Sequence, residues 1–220
     1  MAILSTALWR VNPGRGADFM QAAAEAKKIH ERLGARTFLM QWSNNGASSG
    51  VMGYGLLFPD LVAWGKFSDA SVTDQANNAF LQQHVASANA SATLLSQTVA
   101  NDLPGFEATD PASPGTVVLA VSSALTPGKT TADAVALLTR WKPVALEFGA
   151  QWARARKVML GGESSLRITV TVGFPNAAAY ADWQLRFSGE QTGQELQGAV
   201  YGAGSPFTNF AHATGRVLPN

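Results

Sequence analysis

The feature that most constrains this chain is an internal repeat. Pro13-Gly14 recurs as Pro127-Gly128, 114 positions later, and Ala17-Asp18 as Ala132-Asp133, 115 later. Gly34-Ala35 returns as Gly149-Ala150 and Gly46 as Gly161, both again after 115. Phe58-Pro59-Asp60 returns as Phe174-Pro175-Asn176 after 116, so Trp64 matches Tyr180 and Phe67 matches Trp183. Leu103-Pro104 closes the first half as Leu218-Pro219 closes the second. Ordered matches at a near-constant offset point to a tandem duplication. The joint holds Pro104, Gly105, Pro111, Pro114 and Gly115, which is linker composition. The expected organisation is therefore a first half over 1–104, a linker over 105–115 and a second half over 116–220.

Each half predicts the same elements. Residues 3–10 form an apolar run ended by Asn12-Pro13-Gly14, a strand and a turn. Over 17–33, Phe19, Ala22, Ala23, Ala26, Ile29 and Leu33 recur at helical spacing, and Gly34 stops the helix. Strands follow over 37–42 and 51–58, joined by a hairpin turn at 44–50. Pro59 and Asp60 open a helix over 61–67, a further helix covers 74–88, and 94–103 is the last strand. The second half gives strands over 117–125, 152–159, 166–174 and 208–217, with helices over 130–148 and 177–186. Thr130 or Thr131 is its N-cap, Pro143 predicts a kink, and Gly161-Gly162 makes the turn.

The order βαββαβ is the ferredoxin-like unit. The expected fold is α+β: two tandem ferredoxin-like βαββαβ units whose antiparallel sheets pack face to face as an intramolecular dimeric α/β barrel. With Pro13-Gly14 before the first helix, Gly34, and the segment from Phe58-Pro59-Asp60 to Trp64, the chain resembles the dimeric α/β-barrel superfamily. That superfamily includes antibiotic-biosynthesis monooxygenases, EthD and NIPSNAP-type proteins, and haem-binding chlorite dismutases. The resemblance implies a small-molecule pocket between sheet and helices, lined by aromatics of the segment after the Phe-Pro turn.

Composition agrees with doubly covered sheets. Only 14% of residues are charged, against roughly 25% in a typical soluble domain. A net charge of +1 gives no basic excess for nucleic acid. No apolar run approaches the roughly 20 residues that span a bilayer, and no secretory signal precedes Asn12-Pro13-Gly14. The expected location is cytoplasmic, without nucleic-acid or membrane partners. Cysteine is absent, which removes thiolate chemistry.

Candidate site residues follow from strand alternation and from comparing the halves. Leu166, Ile168, Val170 and Val172 share the face expected under the helices; Arg167, Thr169, Thr171 and Gly173 share the barrel face. Val51, Gly53, Gly55 and Leu57 take the barrel face in the first half. Trp152, Arg154 and Arg156 share one face of the neighbouring strand, so Arg154, Arg156 and Arg167 form either a carboxylate-binding site or an inter-sheet ion-pair cluster. His84 lies one turn after Phe80, and its repeat mate is Val200. An imidazole where the other half is aliphatic is a candidate acid/base, set against a satisfied rim histidine. His30, matched by Ala145, reads as structural, and His212, matched by Gln97, lies on the last strand. Three histidines on three elements lack metal-ligand spacing, so no metal is expected. Trp64, Tyr180 and Trp183 are pocket or core residues, with Trp9, Trp42 and Tyr54 as further pocket candidates. Asp18 and Asp133 read as helix-start carboxylates.

The functional expectation is a small-molecule pocket protein. One reading is a cofactor-independent oxygenase or an isomerase/cyclase acting on a small organic, in some cases anionic, substrate, with His84 as acid/base. The other is a non-catalytic ligand-binding or scaffold protein of the same fold, and haem binding is a third. The expected partner is a small molecule; two fused barrels could also pair as a homodimer.

Overall fold

The computed structural model describes residues 1–43, 51–108, 110–162 and 165–219. The expected turn at 44–50, with Gly46, lies outside the described residues. The first half gives β1 (Ile3–Val11), α1 (Gly16–Arg32), β2 (Arg36–Ser43), β3 (Val51–Phe58), α2 (Leu61–Thr73), α3 (Gln75–His84) and β4 (Ala92–Asp102). The second gives β5 (Val117–Leu125), α4 (Thr131–Glu147), β6 (Trp152–Leu160), β7 (Ile168–Phe174), α5 (Ala177–Gly189), α6 (Gln191–Tyr201) and β8 (Phe207–Leu218).

The strands close one barrel in the order β1-β3-β2-β8-β5-β7-β6-β4. Every neighbouring pair is antiparallel. Each half contributes four adjacent strands in the same order, β4-β1-β3-β2 and β8-β5-β7-β6. The two sets meet edge to edge, β2 on β8 and β4 on β6, so closure removes the exposed edges each set would have alone. Helices cover the outside. Apolar clusters lie between α1–α3 and the first four strands, and between α4–α6 and the second four. A smaller one, Met40, Val118 and Val217, sits in the lumen.

The helix starts follow their sequence signals. Asp60 caps α2 by accepting from Ala63 N at 2.8 Å, and Asn176 caps α5 from Ala179 N at 2.9 Å. Thr130 and Asp133 form a capping box on α4, which runs unbroken across Pro143. Asp18 pairs with Arg15 in the first turn of α1. Several bounds differ from expectation. α2 runs to Thr73, where 61–67 was expected, and α3 stops at His84 rather than 88. α6 has no counterpart in the expected set, because Gly193 and Gly198 weaken its helical pattern. Leu166 does not join the aliphatic face of β7. It adopts φ 68° in the turn after β6 and is exposed, and the strand begins at Ile168.

Glycines on the lumen face let aromatic rings lie across the sheet. A Cβ on Gly55 would sit 2.2 Å from Phe38 Cζ, and one on Gly173 would sit 2.1 Å from Trp152 Cε2. Each ring covers a glycine of the adjacent strand, which fills the lumen without bulk from both partners.

Candidate functional site

Three cavities follow from this arrangement. One of about 250 Å³ lies between α1–α3 and β1, β3 and β4. Its counterpart in the second half, about 260 Å³, lies under α4–α6. The third, about 520 Å³, is the barrel lumen.

The first-half cavity carries a set of polar groups that its counterpart lacks. Its floor is Ser5, Ala7, Trp9, Tyr54 and Leu56; its roof includes Phe19, Ala22, Ala23, Ala26 and His30 of α1. Phe67, Ser71, Asn77, Phe80 and His84 close it from α2 and α3. The three alanines of α1 leave the volume open. In the second half Leu137, Leu138 and Trp141 stand at the matching positions, so that cavity of similar size is shaped by larger side chains.

Polar side chains converge on His30. Its Nδ1 lies 3.2 Å from Tyr54 Oη. On the adjacent strand Thr37 Oγ1 donates to Glu31 Oε1 at 3.0 Å, and Thr37 acts on the Tyr54 hydroxyl. With Nδ1–H donating to Tyr54 Oη the imidazole lone pair lies on Nε2; with the hydroxyl donating it lies on Nδ1. Burial pushes the Tyr54 hydroxyl well above the ordinary tyrosine range, so it stays a neutral relay; the Thr37 bond opposes this and the Glu31 charge adds to it. Burial also lowers His30 below its ordinary value, with Asn77 acting the other way. Asn77 donates through Nδ2 to Ser71 O at 2.9 Å, and its Oδ1 is buried without a hydrogen-bond partner. That acceptor stands ready for an imidazolium N–H, which is why it favours the protonated ring.

His84 sits at the end of α3 in the same cavity wall. Its Nε2 is 3.3 Å from Glu25 Oε2 on α1, at an angle that does not make a hydrogen bond, and its ring packs on Phe80 at 4.9 Å. The pair links α3 to α1.

Other sequence-derived candidates fall elsewhere. Phe80 and Tyr54 line the first-half cavity, as does Trp9, whereas Trp42 lines the lumen. Trp64 packs on the rim of the first-half core and does not line the cavity; one turn on, Phe67 does. Tyr180 likewise lies off its cavity, edge-on to Phe174 at 5.3 Å. Trp183 lines the second-half cavity and donates from Nε1 to Ala145 O at 3.1 Å. The three arginines do not gather. Arg154 and Arg156 line the lumen. Arg167 precedes β7 and turns to Ser122, donating to its Oγ at 3.0 Å and its carbonyl at 2.9 Å. Because Arg154 and Arg156 face the lumen and His84 faces the helices, they belong to different cavities.

His30, Thr37, Asn77 and Ser71 carry the site without having been singled out for it. The repeat holds the signal that finds them. His30 matches Ala145, Tyr54 matches Val170, Asn77 matches Gly193 and Ser71 matches Phe187. The structure supports the pairing: the carbonyls of His30 and Ala145 each accept from the residue five on, and Tyr54 and Val170 each pair with matching positions of β1 and β5. The second-half glutamines, by contrast, are tied up, Gln197 to Phe187 O and Gln184 to Tyr180 Oη.

The chain matches no protein-family model, and no curated protein matches it by sequence. Solved structures do match. A provisionally assigned monooxygenase of Fusobacterium nucleatum subsp. nucleatum superposes with a TM-score of 0.63 at 10% identity, over 99% of this chain and 93% of that one. An anthrone oxidase-like protein gives 0.59 at 10% identity, over 99% and 92%. The likeness is one of fold: the dimeric α/β barrel. A chlorite dismutase variant from Candidatus Nitrospira defluvii gives 0.57 at 10% identity, over 100% and 91%.

The second-half cavity does not fit a haem. Trp141, Trp183 and Phe187 wall it, which leaves no flat opening for a macrocycle over the sheet. His212 is exposed at its rim beside the packed rings of Tyr201 and Phe210. No group of three or more metal-ligating side chains occurs among the described residues, and no helix is long and apolar enough to cross a membrane.

Proposed function

We propose that the first-half cavity binds a small, largely apolar aromatic molecule and that His30 acts there as a general base in cofactor-independent oxygenation. The observation that carries this reading is the asymmetry between the halves. Polar groups converge on one half-buried imidazole in the first cavity, where the second has Ala145, Val170 and Gly193. Names of the fold relatives, monooxygenase and anthrone oxidase-like, support the reaction class.

In this reading the substrate presents an acidic CH₂ group to His30 Nε2. The base takes one proton, and Asn77 Oδ1 accepts from the new N–H. The carbanion transfers an electron to O₂, and the radical pair collapses to a C–O bond. Loss of water gives a carbonyl, so CH₂ and O₂ become C=O and H₂O. Tyr54, Thr37 and Glu31 hold the tautomer, as the third member of a catalytic triad does. Trp9, Phe19, Phe67 and Phe80 pack the rings. His84 holds the wall through Glu25.

Oxygen uptake with anthrone as the probe tests this. Anthrone is expected to be consumed with one O₂ per molecule, and His30→Gln is expected to lower the rate about 10²–10⁴-fold. Product formed without oxygen uptake would instead indicate an isomerase or cyclase using the same base. Binding without turnover would indicate a ligand-binding protein.

The same proposal covers the origin of the chain. Residues 1–104 and 116–220 are read as two duplicated ferredoxin-like units joined by 105–115, since both show the same strand order.

A further inference from the structure

The barrel lumen holds a charge arrangement that the proposed reaction does not use. Arg154 and Arg156, at alternate positions of β6, are its only formally charged lining side chains among the described residues. Asp102 of β4 stands directly across from Arg156, with Oδ1 2.6 Å from Arg156 Nε. Both partners are deeply buried, the Arg156 side chain 8% exposed and that of Asp102 0%. Asp102 Oδ2 is taken by Ala108 N at 2.8 Å. The Asp102 charge acts on both arginines; Asp110 also acts on Arg154 but pairs with Arg36, so the group keeps a surplus positive charge. Arg156 Nη2 is buried with no hydrogen-bond partner among the described residues. Arg154 lies over the Trp152 ring at 4.4 Å, and among the described residues no carboxylate stands at salt-bridge distance from it. A desolvated guanidinium edge without an acceptor is costly unless something fills it.

The rest of the wall is chiefly apolar, including Leu4, Leu8, Met40 and Val118, with hydroxyls at Thr98 and Thr171. The volume of about 520 Å³ falls within the usual range for small-molecule sites.

We infer that the lumen is a second binding site, separate from the His30 cavity, for a monoanionic amphiphile: a carboxylate at Arg154 and the lumen-facing side of Arg156, and an apolar body along the barrel. A single negative charge balances the surplus, and a carboxylate matches the planar guanidinium edge. The inference does not depend on the reaction proposed for the His30 cavity.

Calorimetric titration with decanoate and with decan-1-ol tests it. Decanoate is expected to bind the intact protein at least about tenfold more tightly than decanol, because charge-assisted bonds are the stronger kind. Arg154→Gln leaves the buried Arg156–Asp102 pair intact and is expected to weaken decanoate about tenfold, leaving decanol unchanged. Arg156→Lys, which keeps the charge and loses the free edge, is expected to weaken it similarly. Ala26→Leu narrows the His30 cavity and is expected to leave decanoate affinity within about twofold. The inference is overturned if decanoate and decanol bind alike, if Arg154→Gln has no effect, if Ala26→Leu abolishes binding, or if decanoate does not bind at millimolar concentration.

Discussion

His30 and His84 share one cavity wall, and their surroundings separate their roles. His84 has Glu25 beside it and Phe80 under it. A half-exposed pair of this kind contributes about 0.2–1 kcal/mol. His84→Ala is therefore expected to lower stability by no more than about 1 kcal/mol and oxygen uptake only a few-fold, read by urea titration and an oxygen electrode. His30 is held neutral by burial, which gives a pH signature. Its folded pKa is below its unfolded value, so the unfolded chain takes up the proton first as pH falls. The stability due to neutral His30 is present above about pH 6.5 and is lost below it. Between about pH 7.5 and 5.5, the melting temperature is expected to fall more in the intact protein than in His30→Gln; equal falls would remove this account. At the seam, burial raises the Asp102 carboxyl and Arg156 opposes it. Asp102→Ala strands a buried guanidinium and is expected to cost about 3–5 kcal/mol in urea unfolding. Asp102→Leu combined with Arg156→Met is expected to recover most of that loss, since well-packed apolar pairs often replace buried ion pairs without penalty.

At the level of elements, the strands and α1 are legible because their apolar periodicity is strong. α6 is not, because one of its glycines, Gly193, serves a tertiary contact. A Cβ on Gly193 would sit 2.3 Å from Phe187 O, so α6 crosses the end of α5 at backbone distance. β2 and β3 are tied by the same kind of contact. Gly55→Ala drives a methyl group into the Phe38 ring and is expected to cost about 1–3 kcal/mol. Phe38→Leu in the same chain is expected to return part of it, measured as the shift in urea midpoint. If Gly55→Ala were neutral alone, the ring would not be held across the strand.

For the whole molecule, closure depends on both halves. Residues 1–104 alone expose the β2 and β4 edges that pair with β8 and β6 in the intact chain. This fragment is expected to elute as a dimer or larger species by light scattering, with a monomer as the disproving result. The connector takes part in the seam. Leu103 N donates to Ala155 O at 2.8 Å, and Ala108 N donates to Asp102, so the segment does more than join two units.

Strand alternation and helical periodicity carry much of the architecture: which segments are strands, which are helices, and which strand face lies under the helices. Local pattern carries that information because periodicity decides which face is buried. It could not say which polar residues meet. His30 looks like an ordinary stripe-edge residue until α1, β2, β3 and α3 bring Tyr54, Thr37 and Asn77 around it. Arg154, Arg156 and Arg167 look like one cluster until Arg167 turns to Ser122 and Asp102 arrives from β4. Those meetings link positions distant in the chain, and only closure of the barrel sets the distances on which their hydrogen bonds and charges depend.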